Sequence, residues 1–397
     1  MKLTIPHRGF LILPLLVVSL LAPLLAAKDD PPASSSKDIA AVLQPFVDRH
    51  ALAGAVILVA DKDKVLSLEA VGFADITAKK SMPFDALFWI ASQSKSITAT
   101  ALMMLVDEGK VRLDDPVAKY LPEFKGQWLR AYGDNQVQLL KKPKQRTTVR
   151  HILSHISGLP FKSAMEEPTL DLLPLDLAVR SYAMTPLDFE PGTKYFQYSN
   201  AGINTAGRII EVVSGMPYEK FMDKRLFEPL GMKDTTFWPS EDQLKRLAKS
   251  YKPNEDKNGL VEVKIGQLKY PLNDRTRQPM PAGGLFSTAT DVGRFCQMVL
   301  NGGKFNGKRY ISEDAVKQMA TTQIGDPAKG GYGLGWSTHG NGVFGHGGAQ
   351  ATNMTIDPQH GLITVFMVQH AGFPKDGNKA HGAFQKAALQ RYGASRQ

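Results

Sequence analysis

Apolar positions along this chain recur in two periods, and the period changes twice. Residues 39–47 have helical apolar spacing. Residues 54–60 and 64–72 then read as two antiparallel strands around the polar turn Asp61-Lys62-Asp63. From Ser92 the pattern is helical for a long stretch. Ser92 is placed to N-cap a helix carrying Ile97, Ala101, Leu105 and Val106, with Gly109 near its end. Thr147 opens a short helix through His151 and Leu153, closed by Gly158 and Pro160. Ser199 caps another, with Ile203, Ile210 and Val213 on one face and Gly215 at its end. Thr290 caps a fourth, which holds Phe295, Val299 and Leu300. After Gly330 short β-like runs return at 332–337, 343–347, 352–356 and 362–368, with Asn341-Gly342 as a hairpin turn. Residues 379–389 read as a terminal helix.

Strands at both ends and helices between them predict an α+β fold. The simplest packing joins the two strand groups into one antiparallel sheet, with the N- and C-terminal helices on it. A mostly helical region is inserted. The sheet subdomain is expected at about 38–80 and 288–397, and the helical subdomain at about 84–287. The length, 397 residues, exceeds the usual ~100–200 of one domain. With 43% hydrophobic and 22% charged residues, the chain can bury a large core, which excludes disordered, collagenous and coiled-coil classes. Cys296 is the one cysteine, so neither an intrachain disulfide nor a cysteine metal cluster can form.

The formal charge is +10. Two of the cations, Lys2 and Arg8, and none of the acids fall in residues 1–27, so removing that segment leaves +8. A charged start, an apolar run from Phe10 to about Ala27 and the small residues Ala26 and Ala27 read as a signal peptide, residues 1–27. Leu25 departs from the small-residue cleavage pattern. Pro14 and Pro23 interrupt the run, which favours an exported protein over an uncleaved N-terminal membrane anchor. Residues 28–37 read as a polar tether. A positive mature chain suits anionic surroundings such as a cell envelope. The densest basic patch, Lys141, Lys142, Lys144, Arg146 and Arg150, has no interleaved aromatics and no nucleic-acid motif, so it reads as a solvated loop and no nucleic-acid partner is expected.

Several patterns fail on context. Residues 340–345 match G-x-G-x-x-G, but they sit in a hairpin, not between a strand and a helix. His151 and His155 are four apart, as in a zinc pair, yet the intervening residues include no glutamate and no third ligand is evident. Packing or capping is the better reading, and no metal or cofactor is expected. No G-x-S-x-G occurs.

Three motifs remain. Ser92-Gln93-Ser94-Lys95 follows an apolar run and starts a helix, so Lys95 shares a face with Ser92 and can reach its hydroxyl. Ser34 to Lys37 matches the same pattern in the tether, so context makes the difference. Tyr198-Ser199-Asn200 is the only Y-x-N. A nearby ammonium would lower the phenol's pKa, and Asn200 offers an amide for a substrate carbonyl. His346-Gly347-Gly348 ends one strand and precedes another, where glycines let a substrate lie close. Lys257-Asn258-Gly259 and Lys329-Gly330-Gly331 are rival placements in less suitable contexts.

S-x-x-K, Y-x-N and [K/H]-x-G in that order resemble the serine β-lactamase and penicillin-binding protein superfamily. The chain is most similar to its class C-like branch of β-lactamases, D-alanyl-D-alanine carboxypeptidases, D-aminopeptidases and esterases. Residues 153–160, Glu190-Pro191-Gly192, 281–285 and 332–336 carry further matches, and the resemblance spans about 38–370. It implies a β-lactamase/transpeptidase-like fold and an acyl-enzyme on Ser92. Lys95 and Tyr198 share the removal of its proton, with the base left open. Asn200, His346, Gly347 and Gly348 are implied to contact substrate, and the backbone N–H groups of Ser92 and Ala349 to form the oxyanion hole. The expected partner is a small-molecule or peptide substrate.

Two departures matter. Histidine replaces the lysine common in the third motif, which weakens the β-lactamase case and leaves esterase, D-aminopeptidase and carboxypeptidase open. Residues 167–171 imitate a class A deacylating element but precede the Tyr198 motif, and read as coincidence. Residues 125–146 and 252–277 are expected to shape the site entrance. The alternative function is a non-catalytic cell-wall or peptide-binding protein on the same scaffold. A zinc hydrolase using His151 and His155 is a more distant one.

Overall fold

The strand Gly54–Ala60 (β1) is buried along its whole length, on both faces. A strand of Val, Ile, Leu and Ala with no polar alternation suits the centre of a sheet covered on both sides. Two further segments complete its surroundings: Val65–Asp75 (β2) pairs with β1 on one side, and Leu362–Met367 from the far end of the chain pairs on the other. In the computed structural model, residue 1 and residues 39–133 and 137–393 are described. The expected signal peptide and tether lie outside the described residues.

The sheet has nine strands, all antiparallel. Starting from Ile324–Asp326, it continues through Gly330–Tyr332, Ser337–Thr338, Phe344–Gly347, Asn353–Asp357 and Leu362–Met367 to β1, β2 and Lys80–Ser81. Residues Ala55, Ile57 and Val59 face one apolar layer with Phe46, Val47, Phe384 and Ala388. That layer comes from the helix Gln44–Asp48 (α1) and the C-terminal helix Ala380–Tyr392. Val56, Leu58 and Ala60 face the larger core. There Gly293 of the helix Ala289–Leu300 packs closely onto Leu58, whose side chain would have to shift by a few tenths of an ångström to admit a Cβ.

The predicted α+β architecture therefore holds: strands from the two ends of the chain build one antiparallel sheet, and a largely helical region is inserted between them. That region carries the helix Gln93–Asp107 (α2), whose residues 93–105 are all buried. Around it lie Val149–Leu153 (α3), Leu175–Met184 (α4) and Asn200–Ser214 (α5). The insertion is not purely helical. It also contains the hairpins Leu129–Gly133/Gln138–Lys141 and Ser250–Pro253/Leu260–Val263. Residues 39–393 cluster as one compact unit. Among the described residues no helix is long and apolar enough to cross a membrane.

Local signals were read closely, with small shifts. Thr148, not Thr147, caps α3, and Thr288, not Thr290, caps Ala289–Leu300 by accepting from the Asp291 N–H. Both true caps sit in extended backbone, which lets the hydroxyl fold back onto the first turn. The expected strand 332–337 is broken. Gly335 turns through a φ of +76° and binds α2 and α3: Ser96 donates to its carbonyl, and its N–H donates to Leu153.

Residues 167–171 have a structural task. Asp171 and Arg277 form an ion pair at 2.7 Å with both side chains fully buried. Asp171 also accepts from the Lys269 N–H, and Arg277 donates to the carbonyls of Phe237 and Leu272. This pair ties the loop before α4 to the loop before Met280. Removing one partner leaves a buried charge uncompensated. Asp171→Asn is expected to lower unfolding free energy by about 3 kcal/mol, measured by urea denaturation; a loss below about 1 kcal/mol would refute this role.

Candidate active site

Ser92 sits at the start of α2, immediately after Ala91, whose φ is +45°. A non-glycine residue in that conformation marks a tight, strained turn. The preceding strand Phe88–Trp89 is pinned to Phe286–Ser287, and the Ile90 N–H donates to Leu285. Ser92 occupies the N-cap position, yet its hydroxyl makes no cap hydrogen bond. Instead Lys95 Nζ lies 3.1 Å from Ser92 Oγ.

Lys95 has no exposed surface. Its Nζ donates to the Ala282 carbonyl at 2.7 Å and stands 4.7 Å from the centroid of the Tyr198 ring. Burial pushes the Lys95 amine well below the ordinary lysine range. Burial acts in the opposite direction on Tyr198, whose phenol is pushed up to about 12, with its interaction with Ser92 pulling back. A phenolate at Tyr198 is therefore disfavoured. Desolvation likewise works against the ammonium form of Lys95.

Tyr198 is held from behind by His155. The His155 Nδ1 accepts from the Ser199 N–H at 3.1 Å, and its ring lies 4.6 Å from the rings of both Tyr198 and Tyr332. Burial keeps His155 neutral. His151 and His155 are not a helical pair. The α3 helix ends at Leu153, His155 has a φ of +60°, and His151 belongs to a capping box with Thr148. Ser199 caps α5, which places Asn200 in its first turn beside the serine.

A cavity of about 310 Å³ opens at Ser92. Its walls include Tyr198, Asn200, Ala282, Gly347, Gly348 and Ala349, with an apolar side formed by Trp89, Phe161, Leu170 and Met280. Ser92 and Ala349 both border it. Neither backbone N–H donates to another group among the described residues. Of the two segments expected at the entrance, 252–277 contributes Gln267, and none of the described residues of 125–146 lines the cavity. The latter lies against a different cavity.

The family profile described as Beta-lactamase matches residues 39–388. The chain belongs to the β-lactamase family. Protein Rv1367c of Mycobacterium tuberculosis is 29% identical over 367 residues, covering 83% of this chain and 89% of its own. EstCE1, a hydrolase with promiscuous acyltransferase activity, superposes with a TM-score of 0.74 at 24% identity, over 88% of this chain and 97% of its own. The D-amino acid amidase of Ochrobactrum anthropi SV3 superposes with a TM-score of 0.69 at 25% identity, over 89% and 98%.

Against the β-lactamase pattern, the third motif behaves differently from expectation. His346 is buried and does not border the cavity. Its Nδ1 lies 2.7 Å from the Gly347 carbonyl and its Nε2 2.9 Å from the Tyr332 hydroxyl. These partners place the proton on Nδ1, and burial pushes the ring down to about 3. His346 is thus a neutral strut rather than a charged contact. The two glycines also differ. A Cβ on Gly348 would meet Thr352 Oγ1 at 2.3 Å and the Ile90 carbonyl at 2.5 Å, whereas one on Gly347 would meet nothing closer than 3.6 Å.

Sequence reading missed Asn204, one turn along α5 from Asn200. Its Oδ1 accepts from the Ala282 N–H and its Nδ2 donates to Tyr182, which donates to Glu166. Asn204 thereby fixes the residue whose carbonyl holds Lys95. A polar residue on the buried side of an otherwise apolar helix was the available signal. Gly348→Ala is expected to misplace Ile90 and Ser92 and to lower the melting temperature, while Gly347→Ala keeps wild-type stability. Equal melting temperatures for the two variants would refute this division.

Proposed function

We propose that the chain is a serine hydrolase acting on neutral esters through an acyl-enzyme on Ser92. The observation that carries the reading is the cavity at Ser92. Among its described lining residues there is neither a cation for a substrate carboxylate nor a carboxylate for a substrate ammonium. A β-lactam or peptide C-terminus brings a carboxylate, and a free D-amino acid amide brings an ammonium. Either charge would be desolvated without a partner. An uncharged acyl group meets Trp89, Phe161, Leu170 and Met280 instead.

In the proposed reaction, neutral Lys95 accepts the Ser92 proton as Oγ attacks the ester carbonyl. The oxyanion is stabilised by the N–H groups of Ser92 and Ala349. The acyl carbon–oxygen bond to the alcohol then breaks. The protonated Tyr198 phenol delivers a proton to the departing oxygen and is reprotonated from Lys95. Water then attacks the acyl carbon: Tyr198 passes its proton to Lys95 and takes one from the water, the acyl carbon–Oγ bond breaks to release the acid, and Lys95 returns its proton to Ser92 Oγ. Asn200 orients the carbonyl, and Gly347 leaves space beside it. Export from the cytoplasm belongs to this reading too, on the strength of the N-terminal apolar run.

Ser92→Ala is expected to reduce hydrolysis of p-nitrophenyl butyrate about 10⁴-fold, with loss of the +acyl mass on the protein. Wild-type turnover of this ester is expected to exceed that of nitrocefin, D-alanyl-D-alanine and D-phenylalaninamide. Activity in the Ser92 variant within tenfold of wild type would reject the nucleophile. Faster turnover of a charged substrate would reject the ester assignment. The pH dependence has a definite sign. Protonation of Lys95 removes the base, so kcat/KM falls as pH falls through its depressed pKa and is flat above it. An acid limb at the ordinary lysine value of about 10.4 would count against Lys95 as the base.

A further inference from the structure

A second cavity, about 440 Å³, opens at the foot of the hairpin Leu129–Gly133/Gln138–Lys141. Four of its walls are the cations Lys119, Lys125, Lys142 and Arg146, and no carboxylate is among its described lining residues. Asp115 pairs with Lys119 at 2.7 Å. The other three have no carboxylate partner among the described residues. Gln127 adds an independent sign of a ligand. It is 5% exposed, and its Oε1 accepts from Thr147 Oγ1 at 2.9 Å. Its Nε2 is buried without an acceptor. Spare positive charge and an unsatisfied amide donor on one cavity call for an anion with several acceptor oxygens.

The hairpin beside it carries apolar side chains into solvent. Tyr132 and Leu139 are directly paired and therefore share a face. Leu140 is on the opposite face, paired with Arg130. Tyr132 is 78% exposed and Leu139 59%. Lys142 belongs to both features, since it lines the cavity and its Nζ lies 3.6 Å over the ring of exposed Trp128 at the hairpin's root. A protein surface laid on one side of a two-stranded hairpin would leave the other side's apolar residue in water. The interfacial layer of a bilayer solvates both sides, accepts Trp and Tyr readily, and supplies phosphates to Lys and Arg.

We propose that this cavity receives the phosphoryl group of an anionic phospholipid, with the adjoining hairpin entering the lipid interface, so that the chain docks on anionic membranes. The assignment does not depend on the chemistry at Ser92. It gives the basic patch, read from sequence as a solvated loop, a ligand.

The test uses the intact chain and co-sedimentation with vesicles of phosphatidylcholine, alone or mixed with phosphatidylglycerol. The expected result is preferential binding to the mixed vesicles. K142Q/R146Q is expected to weaken it about tenfold or more, and Y132S/L139S to weaken it as well. Glycerol 1-phosphate should compete and should raise the melting temperature of the wild type but not of K142Q/R146Q. Lys142 also packs on Trp128, so K125Q/R146Q, which removes cavity charge without that contact, carries the test if K142Q/R146Q fails to fold. Equal binding to both vesicle types overturns the proposal. Unchanged binding by the charge variants also overturns it. Stabilisation by glycerol 1-phosphate or inorganic phosphate with no vesicle binding overturns the lipid assignment in favour of a free phosphate ester.

Discussion

The Lys95 amine is held wholly out of water, 3.1 Å from a serine hydroxyl and with only neutral groups around it. A solvated lysine is an ammonium at neutral pH and cannot accept a proton. Desolvation removes that preference, provided that no carboxylate comes close enough to restore it. The surrounding structure meets this condition. The contacts of Nζ are a hydroxyl, a carbonyl and the face of a phenol. The two nearby histidines, His155 and His346, are themselves kept neutral by burial.

Burying an amine also requires that its direction be fixed, and much of the inserted region serves this. The α2 helix delivers Lys95 and α5 delivers Asn204. Together they grip the segment Pro281–Ala282, with Thr98 donating to Pro281 and Asn204 accepting from Ala282. The only carboxylate in the chain of hydrogen bonds, Glu166, is reached through Tyr182 and Asn204. Its burial raises its own pKa, with hydrogen bonds from Tyr182 and Ser163 opposing the rise. The network thus orders the lysine's acceptor without setting an anion beside the lysine.

Two contrasting recognition environments follow. The cavity at Ser92 is uncharged along its described walls and suits a neutral acyl group. The cavity under the Leu129–Lys141 hairpin is rich in unmatched cations and has an idle amide donor. Separating them keeps the cations away from Lys95, whose basicity a neighbouring positive charge would lower further. It also allows the surface that would meet a membrane to differ from the surface that would meet substrate.

The sheet was legible because β1 and the strands near the C-terminus are strongly apolar and their turns carry clear signals, as at Asn341-Gly342. The candidate site was legible where a motif lies within one turn of helix, as Ser92 to Lys95 does. Helix caps slipped by a residue or two because adjacent threonines compete, and extended backbone selects between them. The break at Gly335 was not legible, since it answers to α2 and α3 rather than to its own neighbours. Asp171 looked like a coincidental motif until Arg277, distant in sequence, was found against it. By itself the sequence determined the residue types, their helical or strand period and the order of the three motifs, because those depend on local backbone geometry. The desolvation of Lys95, the neutrality of His346 and the character of the two cavities were decided only by tertiary structure, because desolvation and charge pairing depend on which distant residues exclude the water.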